Sequence, residues 1–197
     1  MHGNKLIGNR PAMFEGRHSR MYDFVSRRLL RGVYRRIADD IADAAPPGGH
    51  VLDVGTGPGI LLVELARRRP DLRLTGVDLS ADMATTAGHN LSEFGDRASA
   101  RQADVTDLPF DDDSIDLVVS SFSLHHWDAP KDAVPQLDRV LRPGGRLYFY
   151  DFGFAPFDLI DSTARDEARF TGAPLRHDTI RTGVPLLPRC VRHVLTA

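Results

Sequence analysis

The sequence predicts an α/β fold, in which helices cover both faces of a Rossmann-like, open and mostly parallel sheet that ends in an antiparallel edge hairpin. Short apolar runs alternate along the chain with helical patterns of about a dozen residues, which is typical of βαβ units. Right-handed connections between parallel strands then place helices on both faces of the sheet. The last residues contain two more short runs, whose spacing fits a hairpin at the C-terminal edge.

The first half of the chain switches clearly between helical and strand patterns. Apolar residues from Phe24 to Ile41 recur mostly every three or four positions, so one face of a helix is apolar. Ser80 is suited to cap the helix that follows the second strand. The elements predicted here are a helix over residues 22–45 that ends at Pro46, a strand over 51–54, a helix over 60–69 that ends at Pro70, a strand over 72–77 and a helix over 81–94.

The second half continues the alternation and then changes character. Residues 115–120 form a strong apolar run, whereas the strand before it is weakly patterned. Gly172 is expected to cap the helix that precedes the terminal hairpin. The elements predicted here are strands over 99–103 and 115–120, a helix over 129–141, a strand over 146–150, a helix over 157–170 and hairpin strands over 177–183 and 190–195.

Composition limits the classes of protein to which this chain can belong. Its 197 residues amount to about one domain, and 42% hydrophobic with 26% charged residues excludes wholly disordered chains. We expect an irregular segment over residues 1–21, which could act as a lid, and a single domain over 22–197. No apolar run is long enough to span a membrane.

Net charge and cysteine content limit the partners and the cellular compartment that we expect for this chain. The net charge is −2, so a whole-chain basic field for nucleic acid is absent and nucleic acid is not the expected partner. Cys190 is the single cysteine, which excludes an intrachain disulfide and a cysteine zinc cage. The N-terminal residues lack an apolar signal region, and we therefore expect a cytoplasmic protein. The sequence leaves the oligomeric state open.

A glycine-rich loop is the sharpest functional signal. In an open parallel sheet, ligands bind beyond the carboxyl ends of the strands, where the strand order reverses. Gly55, Gly57 and Gly59 lie between a predicted strand and a predicted helix, and Asp78 follows about 20 positions later. Such glycines let the backbone turn tightly and approach a ligand. The pattern indicates a nucleoside-binding loop.

The loop is poorly suited to a dinucleotide. The dinucleotide fingerprint needs a third glycine where this chain has Ile60, and Pro58 removes one backbone N–H that pyrophosphate would use. The carboxylate of Asp78 can accept hydrogen bonds from both hydroxyls of a ribose. The sequence therefore predicts a ligand with a ribose and a purine but without pyrophosphate.

These motifs resemble those of class I S-adenosylmethionine-dependent methyltransferases, most closely the small-molecule branch that includes the ubiquinone and menaquinone C-methyltransferases. The resemblance covers roughly residues 51–151, in order and at the family's spacing. The matching segments are 51–59 (VLDVGTGPG), 76–80 (GVDLS), 102–110 (QADVTDLPF), 114–127 (SIDLVVSSFSLHHW) and 141–147 (LRPGGRL).

The resemblance implies that S-adenosylmethionine is the methyl donor and S-adenosylhomocysteine the product. It assigns the ribose to Asp78, one adenine face to Leu79 and the adenine amine to Asp104, for which Asp107 is the weaker alternative. It assigns the donor's amino group to Asp53, reached directly or through water. The other implied donor contacts are Gly55, Thr56, Gly57, Gly59, Val105, Ser120 and Phe122. Tyr22 is implied as a further contact, from an N-terminal lid that would also contain His18.

Methyl transfer needs alignment and exclusion of water more than it needs catalytic groups. A general base is required for a poor nucleophile, and the candidates are His125 and His126, which follow the fourth strand. Each histidine could instead have a structural role, either as a capping residue or by packing against its neighbours. Because adjacent side chains tend to diverge, we expect that at most one of them reaches the acceptor. No spacing indicates a metal.

The sequence favours a small-molecule acceptor. Relatives that methylate base or glutamine amino groups carry an Asn/Asp-Pro-Pro-Tyr/Phe motif where this chain has residues 120–123 (SSFS), and Cys190 lies far in sequence from the donor loops. An acceptor with aromatic or isoprenoid character is suggested by Phe152, Phe154 and Phe157, unless these side chains belong to the hydrophobic core. The alternatives left open are a catalytically inactive donor-binding partner protein and a nicotinamide-dependent oxidoreductase.

Overall fold

A computed structural model describes residues 31–167, 170, 178–184 and 187–197. Helices and strands alternate through them, with short 3₁₀ turns at Ser92–Arg97 and Leu124–His126. The helices are α1 (Arg31–Ala44), α2 (Ile60–Arg68), α3 (Ala81–Leu91), α4 (Pro130–Val140) and α5 (Phe157–Glu167). The strands are β1 (His50–Val54), β2 (Arg73–Asp78), β3 (Ala98–Gln102), β4 (Ile115–Ser121), β5 (Leu141–Asp151), β6 (Asp178–Val184) and β7 (Leu187–Thr196).

The seven strands form one sheet in the order β3-β2-β1-β4-β5-β7-β6. Strands β1 to β5 pair in parallel, and β7 is antiparallel to both β5 and β6. The predicted fold class is therefore confirmed, including the C-terminal hairpin. The strand order reverses between β1 and β4, and this point is where an open α/β sheet binds its ligand.

Several element boundaries differ from the prediction, most by one or two residues, and β7 begins at Leu187 rather than at residue 190. Helix α3 ends at Leu91, because a 3₁₀ turn follows in which Gly95 has a φ of 62°. Strand β5 begins at Leu141, because Leu141 has extended backbone and pairs with Ile115 before the register shifts near Leu117. The expected cap at Gly172, the segment 1–21 with its boundary at residue 22, and residues 185–186 of the hairpin connection lie outside the described residues.

Hydrophobic side chains pack on both faces of the sheet. One cluster joins α1 and α2 to the sheet, and the other joins α4 and α5 to the opposite face. Strands β1 and β4 are buried along nearly their whole length. No helix in the described part of the chain is long and apolar enough to cross a membrane. Burial on both faces leaves the carboxyl ends of the central strands as the place where polar groups can meet a ligand.

Candidate functional site

A cleft of about 920 Å³ opens at the carboxyl ends of β1, β2 and β4. The predicted residues that line it are Gly55, Gly57, Asp78, Leu79, Asp104, Val105, Phe122 and His126. The predicted residues that the lining does not include are Asp53, Thr56, Gly59, Ser120 and His125. Tyr22 and His18 belong to the part of the chain that the structure does not describe. Sequence spacing thus brings most of the predicted donor contacts to one cleft.

The glycine loop after β1 adopts left-handed backbone at each of its three glycines, with φ of 70° at Gly55, 54° at Gly57 and 76° at Gly59. A Cβ on Gly55 would lie 1.8 Å from Oγ of Ser123, so only glycine fits there. A Cβ on Gly57 would meet no protein atom within 4 Å and would project into open space beside the cleft. The loop therefore offers bare backbone to a ligand at Gly57.

Asp78 is held rigidly at the end of β2. Its Oδ2 accepts from the backbone N–H of Gly57 at 2.8 Å, and its Oδ1 accepts from the N–H of Ser80 at 2.9 Å. Burial raises the pKa of Asp78, and the two amide donors work against that rise. Each carboxylate oxygen has a second lone pair, so both oxygens can still accept from a diol in the cleft.

Asp53 lies beneath the loop and is fully buried. Its Oδ2 accepts from Oγ1 of Thr56 at 2.8 Å, and its Oδ1 has no hydrogen-bond partner in the protein. Burial raises the pKa of Asp53 to about 7; the Thr56 hydrogen bond opposes this rise and the charge of Asp78 adds to it. A Cβ on Gly76 would lie 2.8 Å from Cγ2 of Thr56. This role of Gly76 was not predicted from the sequence, although a glycine inside a strand indicates close approach.

The side of the cleft that the prediction assigns to a purine combines an exposed apolar side chain with a carboxylate. Leu79 is 67% exposed and presents an apolar side chain beside the cleft. Asp104 accepts through Oδ1 from the N–H and the hydroxyl of Thr106, at 2.9 and 2.8 Å. Asp107 does not line the cleft; its N–H donates to the backbone oxygen of Asp104. The geometry thus favours Asp104 over Asp107.

The segment after β4 carries a strained residue. Phe122 has a φ of 53°, a conformation that costs a residue with a Cβ about 1–2 kcal/mol. Its N–H donates to the backbone oxygen of Tyr150 at 2.7 Å, and its ring packs against Tyr34 and Phe152. Such strain concentrates at functional sites, where surrounding contacts hold it. No sequence pattern predicts this backbone conformation at Phe122.

The two histidines are in contact, so the expected divergence of their side chains is wrong. Their ring centroids lie 3.9 Å apart, and of the two only His126 lines the cleft. Nδ1 of His125 lies 2.7 Å from Oδ1 of Asp151, whose side chain is 1% exposed. Burial and the neighbouring His125 lower the pKa of His126, and Asp151 partly offsets this. Asp151 was not predicted as a partner of His125, because β5 brings it alongside β4 only in the folded sheet.

The remaining candidates from the sequence are the cysteine, a metal site and the phenylalanines that follow β5. Cys190 is buried in β7, where burial raises its pKa to about 11, so it is a poor nucleophile. No cluster of three His, Cys, Asp or Glu among the described residues could hold a metal ion. Phe157 is buried, whereas Phe154 is 74% exposed, with its ring stacked on Phe152 and 5.7 Å from the ring of His125.

Comparison with known proteins agrees with this geometry. Residues 52–149 match the family described as "Methyltransferase domain". The chain is 33% identical over 144 residues to the ubiquinone/menaquinone biosynthesis C-methyltransferase of Geotalea daltonii, covering 70% of this chain and 61% of the relative. It is 35% identical over 159 residues to the demethylmenaquinone methyltransferase of Clavibacter sepedonicus, covering 80% of this chain and 63% of the relative. It thus spans less than two thirds of the length of these relatives.

The fold also matches solved structures over nearly the whole chain. A candidate S-adenosyl-L-methionine-dependent methyltransferase from Methanococcus maripaludis superposes with a TM-score of 0.72 at 22% identity, over 96% of both chains. At this identity the likeness concerns the fold. The terminal hairpin and the helices of both faces therefore belong to an architecture that occurs elsewhere.

Proposed function

This chain belongs to the S-adenosylmethionine-dependent methyltransferases, and from this premise we propose that it transfers the methyl group of S-adenosylmethionine to a small-molecule acceptor. The observation that carries the proposal is the cleft at the strand-order reversal, where bare loop backbone and a fixed carboxylate face each other. Bound there, the donor supplies a methyl group already activated by its sulfonium.

The residues present fit this donor. Open space beside Gly57 leaves room for a ligand against the loop, and Asp78 retains two acceptor positions for the ribose hydroxyls. Leu79 offers its exposed side chain to the adenine, and Asp104 lies where it can accept from the adenine amine. The unpartnered, buried Oδ1 of Asp53 is the acceptor that the donor's amino group would reach through water.

His126 is the residue that we propose takes a proton from the acceptor. It lines the cleft beyond the glycine loop, and its lowered pKa keeps a ring nitrogen unprotonated near neutral pH, so that it can accept. Trp127 and Phe122 also line this side of the cleft and can exclude water from the transferred methyl group.

His125 and Asp151 position His126 in this proposal. The buried carboxylate fixes the ring of His125 through Nδ1, and a backbone hydrogen bond from the His125 N–H to Oδ2 of Asp151, at 3.2 Å, adds a second hold. The ring of His126 packs on this fixed ring. In this arrangement His126 is held in place through His125 and does not need a direct hydrogen bond to the buried carboxylate of Asp151.

The acceptor is proposed to be a small molecule with an apolar part. Two relatives named for quinone methylation support this class, although the chain spans only 61% and 63% of their lengths. The exposed ring of Phe154 beside His125 adds an apolar surface near the proposed base. A demethylated quinol is therefore the first acceptor to test. A cytoplasmic location remains part of the proposal, and the content of one cysteine is consistent with it.

The first experiment tests the donor. Isothermal calorimetry with S-adenosylmethionine, S-adenosylhomocysteine, NAD and FAD should give binding of the first two and none of the last two. Tighter binding of NAD would favour the oxidoreductase alternative and contradict the proposal.

The second experiment tests catalysis. With a quinol or another acceptor from a small-molecule panel, His126→Ala should lower turnover by about 10²- to 10⁴-fold while donor affinity stays the same. His89→Ala is the matched control, because His89 is exposed on α3 and does not line the cleft. Donor binding without turnover across the whole panel would favour the inactive partner protein instead. Equal activity in the two variants would remove His126 from the mechanism.

A further inference from the structure

Helix α3 lies directly against the glycine loop that the donor is proposed to touch. A Cβ on Gly59 would lie 3.1 Å from Cβ of Ala87 and 3.3 Å from its Cα, so a side chain there would crowd the helix. Ala87 is fully buried at this close approach. Asn90 lies three positions further along α3, on the same side of the helix. Both residues can therefore contact the loop.

The side-chain amide of Asn90 is hydrogen-bonded to the loop. Its Nδ2 donates to the backbone oxygen of Pro58 at 2.8 Å. Proline has no backbone N–H, so this carbonyl is the only polar group through which the backbone of Pro58 can be held. Pro58 is buried, and a buried carbonyl that loses its partner is costly. The hydrogen bond therefore fixes the peptide unit between Pro58 and Gly59.

The loop is held by α3 and by the end of β2 at neighbouring residues. Oδ2 of Asp78 accepts from the N–H of Gly57 at 2.8 Å. The amide of Asn90 holds the carbonyl of the next residue, Pro58. Asp78 lines the cleft and Asn90 does not, so Asn90 can act on a ligand only through the loop.

We infer that Asn90 is a positioning residue for the methyl donor, which holds the glycine loop in its ligand-binding shape from outside the cleft. This inference rests on the proposed function. Three glycines with left-handed backbone give the loop many alternative conformations. When the binding-competent conformation is only partly populated, apparent affinity is reduced by that fraction. The amide therefore raises donor affinity by ordering the loop before the donor binds.

Replacement of Asn90 tests the inference, with S-adenosylhomocysteine as the probe of the donor site in the full chain. Alanine favours a helix more than asparagine does, so Asn90→Ala should not weaken α3 itself. Titration calorimetry should show about five- to ten-fold weaker binding of the probe, as expected from the loss of one neutral hydrogen bond that orders the loop. Asn90→Gln keeps an amide donor and should bind the probe within about three-fold of the wild type.

Thr86→Ala is the matched control on the same helix. Oγ1 of Thr86 donates to the backbone oxygen of Asp82 at 2.8 Å, within α3, and Thr86 does not line the cleft. The substitution also removes a side-chain hydrogen bond to a carbonyl and also introduces alanine, but it leaves the loop unchanged. The affinity for the probe should therefore equal that of the wild type.

Amide hydrogen exchange without ligand separates positioning of the loop from general destabilisation. In Asn90→Ala the amides of Gly57 and Gly59 should exchange faster than in the wild type, whereas the amides of α2 and β2 should keep their protection. Saturation with the probe should remove the difference at the loop, because the bound ligand then orders it. Faster exchange throughout the fold would mean that Asn90 has only a structural role.

Three binding results would overturn the inference. They are unchanged affinity in Asn90→Ala, an equal loss in Thr86→Ala, and an equal loss in Asn90→Gln, which would show that the amide is not the responsible group. Failure of the wild type to bind the probe would instead contradict the proposed function. The exchange measurement on the free protein would then still show whether Asn90 orders the loop.

Discussion

Replacement of Gly57 by alanine separates the ligand role of the glycine loop from its backbone role. Gly57 has a φ of 54°, so alanine there costs roughly 1–2 kcal/mol of folding stability. No protein atom lies within 4 Å of the added Cβ, so no internal clash adds to that cost. For a chain of this size the melting temperature should fall by about 2–8 °C. The methyl group projects into open space beside the cleft, and donor affinity should fall by at least about ten-fold, which corresponds to about 1.4 kcal/mol.

Gly144 provides a matched control for this substitution. It has a φ of 78°, its added Cβ would also meet no atom within 4 Å, and it does not line the cleft. Gly144→Ala should therefore lower the melting temperature by a similar amount and leave donor affinity unchanged. Scanning calorimetry and titration calorimetry of both variants give the two quantities. Equal donor affinities in the two variants would refute the placement of the donor against the glycine loop.

Two further predictions concern the carboxylates beneath and beside the loop. Asp78→Asn should weaken donor binding by about 1.5–3 kcal/mol, or about 10- to 150-fold, because it removes a charged acceptor. Asp107→Asn should have little effect. Equal losses of donor affinity in the two variants, measured by titration calorimetry, would mean that the ribose lies elsewhere. Asp53 has a folded-state pKa raised from 3.8 to about 7, so its stabilising contribution is complete below pH 3.8 and is lost as the pH rises through about 7. The wild-type unfolding free energy should therefore decrease by a few kcal/mol across this range relative to that of Asp53→Asn, and identical pH slopes in urea denaturation would show that Asp53 is not the responsible group.

Local patterns carried the prediction of the parallel sheet. The alternation of apolar runs with helical periodicity indicated β1 to β5, and the glycine and proline turns indicated where they end. The same reasoning placed the glycine loop and Asp78 at one edge of the sheet, because the carboxyl ends of parallel strands meet there. Boundaries such as the start of β5 at Leu141 depended on pairing with β4, which no local pattern records.

The sequence by itself determined the order of strands and helices, the glycine loop and the residues that follow each strand, since these depend on local backbone preferences and spacing. Only the tertiary structure decided which of those residues meet. It placed Asp151 against His125 by aligning β5 with β4, and it set Phe122 at a φ of 53° through a hydrogen bond to Tyr150. It also buried Asp53 beneath the loop that Asp78 faces, and burial is what raises the pKa of Asp53. Desolvation and contact between distant segments depend on the whole packed chain, and therefore only the folded molecule determines them.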